Sequence, residues 1–373
     1  MKKAKLKMLA SSVALCVLSA SMVFSSGCGR KRPEGMSIAL ICKNTNVSFW
    51  EDVRTGAQDA CDEMGYDMTY YCANADDDVE SQIQFIDDAI TKKVDAIIIA
   101  PNSSTALNDA LLKADNAGID IININSASTY EGVKSVISSS NADGGAVAAR
   151  QAASLVNGQC KIGIVGNNAE SANARIEGFE NEFISQLVLK DRSEKMAQMF
   201  SGGQNAPLPE GTTNENGEAL RGPMGAPEGG IDGEIEKYKE YILEPVYVGN
   251  EEDAIEASKK LLEENKDINV LFATNTYTTV GICKAVQDLG LSNDIVVVGF
   301  NSDDDEITFI KNGVLDGTVV QNPYNQGYIG VRYAASIKDG TAVPKTLDTG
   351  VTFVSGSNIN DEAVKILLYP ESF

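Results

Sequence analysis

Histidine is absent from all 373 residues. That absence excludes Ser-His-Asp and Cys-His nucleophile systems, His-ligated zinc and imidazole general-base chemistry together. Tryptophan occurs once, at Trp50, and cysteine is scarce and scattered. Beyond Cys28 there are five cysteines (Cys42, Cys61, Cys72, Cys160, Cys283), an odd number with no CxxC pair. They read as small buried residues rather than a disulfide framework. A Cys61–Cys72 bridge is conceivable, but the spacing gives no argument for it. Positive charge is also scarce, with 31 Lys and Arg against 53 Asp and Glu. The first 35 residues hold seven of those bases and one of the acids, so the remaining 338 residues carry 24 basic and 52 acidic side chains, a net charge of −28. Such a surface repels phosphate backbones, which excludes nucleic acid as a partner. It keeps the chain soluble, and 338 residues suffice for two domains with proper cores.

Where bases do gather they form a signal. Lys2, Lys3, Lys5 and Lys7 precede an apolar stretch from Met8 to Phe24, and small residues Ser25, Ser26 and Gly27 lead to Cys28. This order resembles a bacterial lipoprotein signal over residues 1–28, with Ser25 where such signals carry Leu, and it implies lipidation at Cys28 and an extracytoplasmic protein anchored to the cell membrane. The other readings are a plain secretory signal or an uncleaved anchor, though 17 residues fall short of the about 20 that span a bilayer. Residues 29–35 (GRKRPEG) read as a tether.

The rest of the chain says one thing twice. LLKADNAGIDIININS at 111–126 and ICKAVQDLGLSNDIVVVGFNS at 282–302 share Lys-Ala, Gly, Asp-Ile, an apolar run and a closing Asn-Ser. Upstream, VDAIIIAPN from Val94 pairs with INVLFATN from Ile268. Near-continuous Ile/Val runs suit parallel strands buried on both faces, and the polar residue ending each marks the sheet's carboxyl edge, where open parallel sheets bind ligands. Asn125, Asn275 and Asn301 sit at such ends.

Helical periods fill the intervals. Ser48-Phe49-Trp50-Glu51 fits a capping box, followed by a face of Val53, Gly56, Ala57, Ala60, Cys61 and Met64 that ends at Gly65. Further faces run through Val79, Ile83, Ile86, Ala89 and Ile90, and through Leu107, Ala110, Leu111, Ala114 and Ala117. The pattern predicts a first doubly wound lobe over 36–140 plus 322–350 and a second over 141–321 plus 351–373, joined by three crossings. Within the second, 201–232 holds eight Gly and four Pro without periodicity and reads as a surface insert. Asn214-Glu215-Asn216-Gly217 lacks the remaining ligand spacing of a calcium loop and reads as a solvated turn. No metal and no cofactor are implied.

Together, IAL followed by an aromatic pair, GFENEF after an Arg, VVVGFN and GTVVQNP resemble the type I periplasmic binding proteins, closest to ribose- and galactose-binding proteins, over about Met36 to Val354 except the insert. The resemblance implies α/β lobes, two doubly wound parallel sheets joined by a multi-strand hinge. It also implies a ligand site. Phe49 and Trp50 would cover the faces of a sugar ring, Arg175 would donate to sugar hydroxyls, and the amides of Asn125, Asn275, Asn301 and Gln321 would bond paired hydroxyls. On pattern alone Phe49 and Trp50 also extend the core stripe, Arg175 reads as a surface arginine, and the amides read as turn formers. Asn125 and Asn301 stand where ribose binders have acids, Ser126 replaces a charged neighbour, and Val47, Ala100 and Gly249 replace polar or aromatic residues. The implied ligand is therefore a neutral polyol, a pentose or hexose, or a furanose-like signal molecule.

The expected function is that of a monomeric, membrane-tethered solute-binding protein, not an enzyme, which delivers a small sugar-like ligand to an ABC permease. The alternative is a sensor module that presents the ligand to a membrane receptor or histidine kinase. A carboxylate hydrolase would need an acidic pair at the cleft strand ends, where Asn stands instead; Asp303-Asp304-Asp305 reads as a helix cap or a solvated run.

Overall fold

The computed structural model describes residues 35–45, 48–75, 77–156, 160–201 and 237–370. The expected signal over residues 1–28 with Cys28, and also Val47 and most of the 201–232 stretch, lie outside the described residues.

Two six-stranded sheets carry the fold. The first has the order β11-β5-β4-β3-β1-β2, built from β1 (Ser37–Cys42), β2 (Asp67–Cys72), β3 (Ala96–Ile99), β4 (Asp120–Ile124), β5 (Ser135–Ser138) and β11 (Thr346–Asp348). The second has the order β12-β10-β9-β8-β6-β7, from β6 (Ile162–Gly166), β7 (Val246–Tyr247), β8 (Val270–Ala273), β9 (Val296–Phe300), β10 (Gly317–Gln321) and β12 (Val351–Ser355). The two orders are the same strand for strand, so the sequence repeat is a repeat of topology. Ten helices connect them among the described residues: α1 (Ser48–Met64), α2 (Val79–Lys92), α3 (Asn108–Asn116), α4 (Asn141–Leu155), α5 (Glu170–Ser201), α6 (Glu251–Glu264), α7 (Thr276–Asp288), α8 (Asp304–Lys311), α9 (Pro323–Lys338) and α10 (Glu362–Leu368).

Both faces of each sheet are covered, which is why the strands read as unbroken apolar runs. In the first sheet Ile38, Leu40, Ile98 and Ile122 pack with Val53, Ala57 and Ala60 of α1 and Val331 of α9. Ala39, Ile41, Ile97 and Ile99 meet Ile86 of α2 and Leu111 of α3. In the second, Ile164, Phe272 and Phe300 meet Ala148, Phe179 and Phe183 on α4 and α5, with Phe179 stacked on Phe272 at 4.3 Å.

One helix pair in each lobe is drawn together by glycine. A Cβ on Gly56 of α1 would lie 2.0 Å from the Tyr324 carbonyl oxygen, and one on Gly327 of α9 would lie 1.9 Å from that of Val53. In the second lobe Gly145 of α4 faces the Arg175 oxygen and Gly178 of α5 the Ala142 oxygen, each at 2.0 Å. Only glycine permits such backbone approach.

Three connections join the sheets: Ser139–Ser140, Asn322 and Thr349–Gly350. Two are bonded together, for Ser139 Oγ and Thr349 Oγ1 lie 3.0 Å apart and the Ser140 amide donates to Asp348 Oδ1 at 3.1 Å. β12 departs from the all-parallel expectation by running antiparallel to β10. The cause is the short crossing: it delivers the chain opposite Gln321, at the carboxyl edge, so the strand can only run back down the sheet.

Candidate functional site

Residues following the carboxyl ends of strands from both sheets converge on one pocket. It is lined from the first lobe by Ser48, Phe49 and Asp52 of α1, and from the second by Thr276, Asn301, Ser302, Asp303, Val320 and Gln321, with Pro323 beside the crossing. Ser48 donates its hydroxyl to Asp303 Oδ1 at 2.6 Å, joining the two walls. Ser48 already lies inside α1, and the Glu51 carboxylate bonds Arg54, so these two side chains do not form the reciprocal cap expected from sequence. A cap needs Ser48 one position outside the helix; here the hydroxyl has a partner across the cleft.

Of the residues singled out in the sequence, Phe49, Asn301 and Gln321 line this pocket. Asn301 is half-buried, donates from Nδ2 to Thr276 Oγ1 at 3.2 Å and accepts Gln321 Nε2 at Oδ1, also at 3.2 Å. That chain of amides and hydroxyls can both donate and accept, as vicinal hydroxyls require. Trp50 is only 5 % exposed and belongs to the core cluster beneath, its ring meeting Phe49 edge-on at 4.8 Å. The helical stripe that made Phe49 and Trp50 ambiguous thus divides them: Trp50 faces the sheet and Phe49 the pocket.

Asn125 ends β4 outside the pocket lining, its amide donating to the Ile137 carbonyl at 2.9 Å. Asn275 caps α7, its Oδ1 accepting the Thr278 amide at 3.0 Å while its own backbone amide donates to Thr278 Oγ1 at 3.1 Å. Its Nδ2 is shut from solvent with no hydrogen-bond partner, an unmet donor at the end of β8. Arg175 is not a surface residue. It is 6 % exposed, with Nε donating to Asn141 Oδ1 at 2.9 Å, a terminal nitrogen donating to the Thr274 carbonyl at 2.7 Å, and the guanidinium 3.8 Å above the Phe300 ring. Burial pulls it down to about 9, which still leaves it cationic at neutral pH. It is anchored against the second sheet on the α4–α5 side and is not in the pocket lining.

The polar pocket residues that were not among the sequence-predicted site residues are Ser48, Asp52, Thr276, Ser302 and Asp303, with Val320 and Pro323 as apolar additions. Ser48 and Asp303 are helix-start residues, and the types that cap helices are the types that can line a polar cleft. Behind Asp303 lies Glu306, fully buried, with Oε2 accepting the Asp303 amide at 2.9 Å and Oε1 unpartnered. Desolvation pushes its carboxyl well above the usual range. All five described cysteines are free thiols. No cluster of His, Cys, Asp or Glu among the described residues could hold a metal ion, and no described helix is long and apolar enough to cross a membrane.

Comparison with known proteins follows the same lines. The family described as periplasmic binding protein domain matches residues 38–342. The D-allose-binding periplasmic protein of Escherichia coli (strain K12) is 22 % identical over 313 residues, covering 82 % of this chain and 86 % of its own. The ribose import binding protein of Bacillus subtilis (strain 168) is 24 % identical over 326 residues, covering 86 % and 87 %. Among solved structures, a carbohydrate transporter solute-binding protein from Agrobacterium radiobacter in complex with D-arabinose superposes with a TM-score of 0.69 at 24 % identity, over 90 % of this chain and 99 % of that one. An ABC transporter solute-binding protein from Agrobacterium vitis with bound D-fucose gives 0.68 at 25 % identity, over 89 % and 100 %.

Proposed function

This chain belongs to the periplasmic binding protein family, and from that premise we propose that it is an extracytoplasmic solute-binding protein that closes on a small sugar or sugar-like polyol and delivers it to an ABC permease. The observation that carries the reading is the pocket in which Phe49 of one lobe faces Asn301, Gln321 and Thr276 of the other. A sugar ring presents apolar C–H faces and polar edges. Phe49 supplies a flat apolar surface for the former, and the linked amides of Asn301 and Gln321 supply paired donors and acceptors for the latter. Each wall by itself offers half of such a site, so a ligand that touches both favours the closed form over the open one by the contacts it gains on closure.

Trp50 supports the Phe49 ring from below rather than covering the ligand. Arg175 acts through the wall, fixing the ends of β8 and β9 from which Asn275, Thr276 and Asn301 project. Residues 1–28 are proposed to be a lipoprotein signal with Cys28 lipidated, residues 29–35 a tether, and the working protein a monomer on the outer side of the cell membrane. The relatives named above are binding proteins rather than enzymes, and no catalytic role is assigned to any residue. Isothermal titration of the ligand-free protein against pentoses, hexoses and polyols tests the proposal; a tight one-to-one isotherm with a subset is expected. Binding to none of them would overturn it.

A further inference from the structure

We propose that Ser48 and Asp303 form a latch across the cleft that sets how long the closed lobes retain their ligand. The inference rests on the binding reading above but concerns two residues that the reading does not need. Ser48 Oγ and Asp303 Oδ1 lie 2.6 Å apart although 255 positions separate them in the chain. Each adjoins a wall of the pocket: Ser48 precedes Phe49, and Asp303 follows Asn301 by two residues. The bond can form only when the α1 start and the β9–α8 turn have come together, which is the movement that covers the pocket.

Both partners are held ready. Ser48 is fixed in the first turn of α1. Asp303 is the N-cap of α8, and its backbone amide is gripped by the buried Glu306 carboxylate at 2.9 Å. Little conformational freedom is therefore lost when the bond forms, which is the condition under which an exposed hydrogen bond contributes. A hydroxyl donating to a carboxylate is also charge-assisted. Breaking the bond should act on opening, and hence on the off-rate, since the on-rate is set while the cleft is open.

The test compares Ser48→Ala, Asp303→Ala, the double variant and Asp303→Asn in the full chain. With the sugar that titrates most tightly, stopped-flow release should quicken about five- to tenfold in each alanine variant, with the thermal midpoint unchanged in Ser48→Ala and lowered in Asp303→Ala, which also removes the cap of α8. The double variant should be no faster than the singles, and Asp303→Asn, whose amide oxygen still accepts, should recover most of the loss. Amide hydrogen exchange of the ligand-free chain over 48–52 and 301–306 should rise in the same variants. Additive single effects on release, or exchange unaltered in both alanine variants, would overturn the latch. If no sugar binds, the binding proposal falls, and the exchange result alone decides the latch.

Discussion

Asn125 and Asn301 are the same residue in the same unusual backbone state, one in each lobe. Their φ angles are +60° and +88°. Each stands immediately after the fourth strand of its sheet, and each donates its amide to the neighbouring strand, Asn125 to Ile137 at 2.9 Å and Asn301 to Val319 at 2.8 Å. Asparagine is among the few non-glycine residues that occupy this left-handed region. A second pair obeys the same relation. The Asp95 carboxylate accepts the amide of Ser37, the first residue of β1, and the Asn269 amide oxygen accepts that of Lys161, just ahead of β6, both at 2.9 Å.

The left-handed turns separate backbone from side-chain roles. Asn125→Ala should cost about 1 kcal/mol in urea unfolding, because alanine lacks the local compensation asparagine has at positive φ, while Asn125→Gly should be close to neutral. Asn301→Gly keeps the turn but removes the bonds to Thr276 and Gln321, so it should lose roughly 1–2 kcal/mol. Equal behaviour of the two glycine variants would contradict this division.

The glycine-mediated helix contacts predict a larger effect. A Cβ at Gly178 or Gly327 would sit 2.0 or 1.9 Å from a backbone oxygen of the partner helix, and backbone cannot rotate aside. Gly178→Ala and Gly327→Ala should each lower stability by about 3 kcal/mol, read from denaturant midpoints. A loss under 1 kcal/mol at both would mean the helices can separate without cost.

How much of this was legible in the sequence follows from the range of the interactions. The strand repeat is local: apolar runs, their closing Asn and the Gly after each helix lie within a few residues, and they mark two doubly wound lobes on one plan, while the strand order the two sheets share is set by pairings that no local pattern shows. Residues 351–373 fall in the second lobe as the pattern predicts, but the direction of β12 depends on where a two-residue crossing enters the second sheet. Arg175 looked like a surface arginine because its partners Asn141 and Thr274 lie 34 and 99 positions away, and no helical period shows them. Ser48 and Asp303 were visible as helix starts, and what separates cap from cleft residue is a contact 255 positions long.

Glu306 should make stability depend on pH in an unusual sense. An unfolded glutamate titrates near about 4.3, whereas burial raises this carboxyl well above that in the folded chain. Between the two values the folded state holds a proton that the unfolded state has lost, so stability falls as pH rises through that window. Glu306→Gln cannot lose the proton and should flatten the slope while keeping an acceptor for the Asp303 amide. Asp316, Asp120 and Glu180, also raised by burial, remain and retain part of it. Parallel stability–pH curves for variant and parent would exclude Glu306 as a source.

Arg175 is expected to matter for the fold of the second lobe as much as for any ligand. Removing the guanidinium leaves Asn141 Oδ1 and the Thr274 carbonyl without their donor and strips the cation from Phe300. Arg175→Met should cost about 2–4 kcal/mol. Arg175→Lys should not restore it, because a point ammonium cannot reach two acceptors and stack on a ring together. Full stability in the lysine variant would show that charge alone is what the site requires.

The aromatic pair gives the sharpest separation of ligand site from core. Trp50 is buried in the cluster around Val53 and Ala57, and Phe49 lies between it and the pocket. Trp50→Ala should therefore cost about 3–5 kcal/mol of stability by opening a cavity. Phe49→Ala should leave stability nearer the parent and weaken sugar binding about tenfold or more, since it removes the flat apolar face of the site. Ligand should also perturb Trp50 emission, and because the two rings touch edge-on at 4.8 Å, that response should shrink in Phe49→Ala even at saturating sugar. Unchanged affinity in Phe49→Ala would remove the ring from the site, and an undiminished Trp50 response there would mean that the ligand reaches the indole directly.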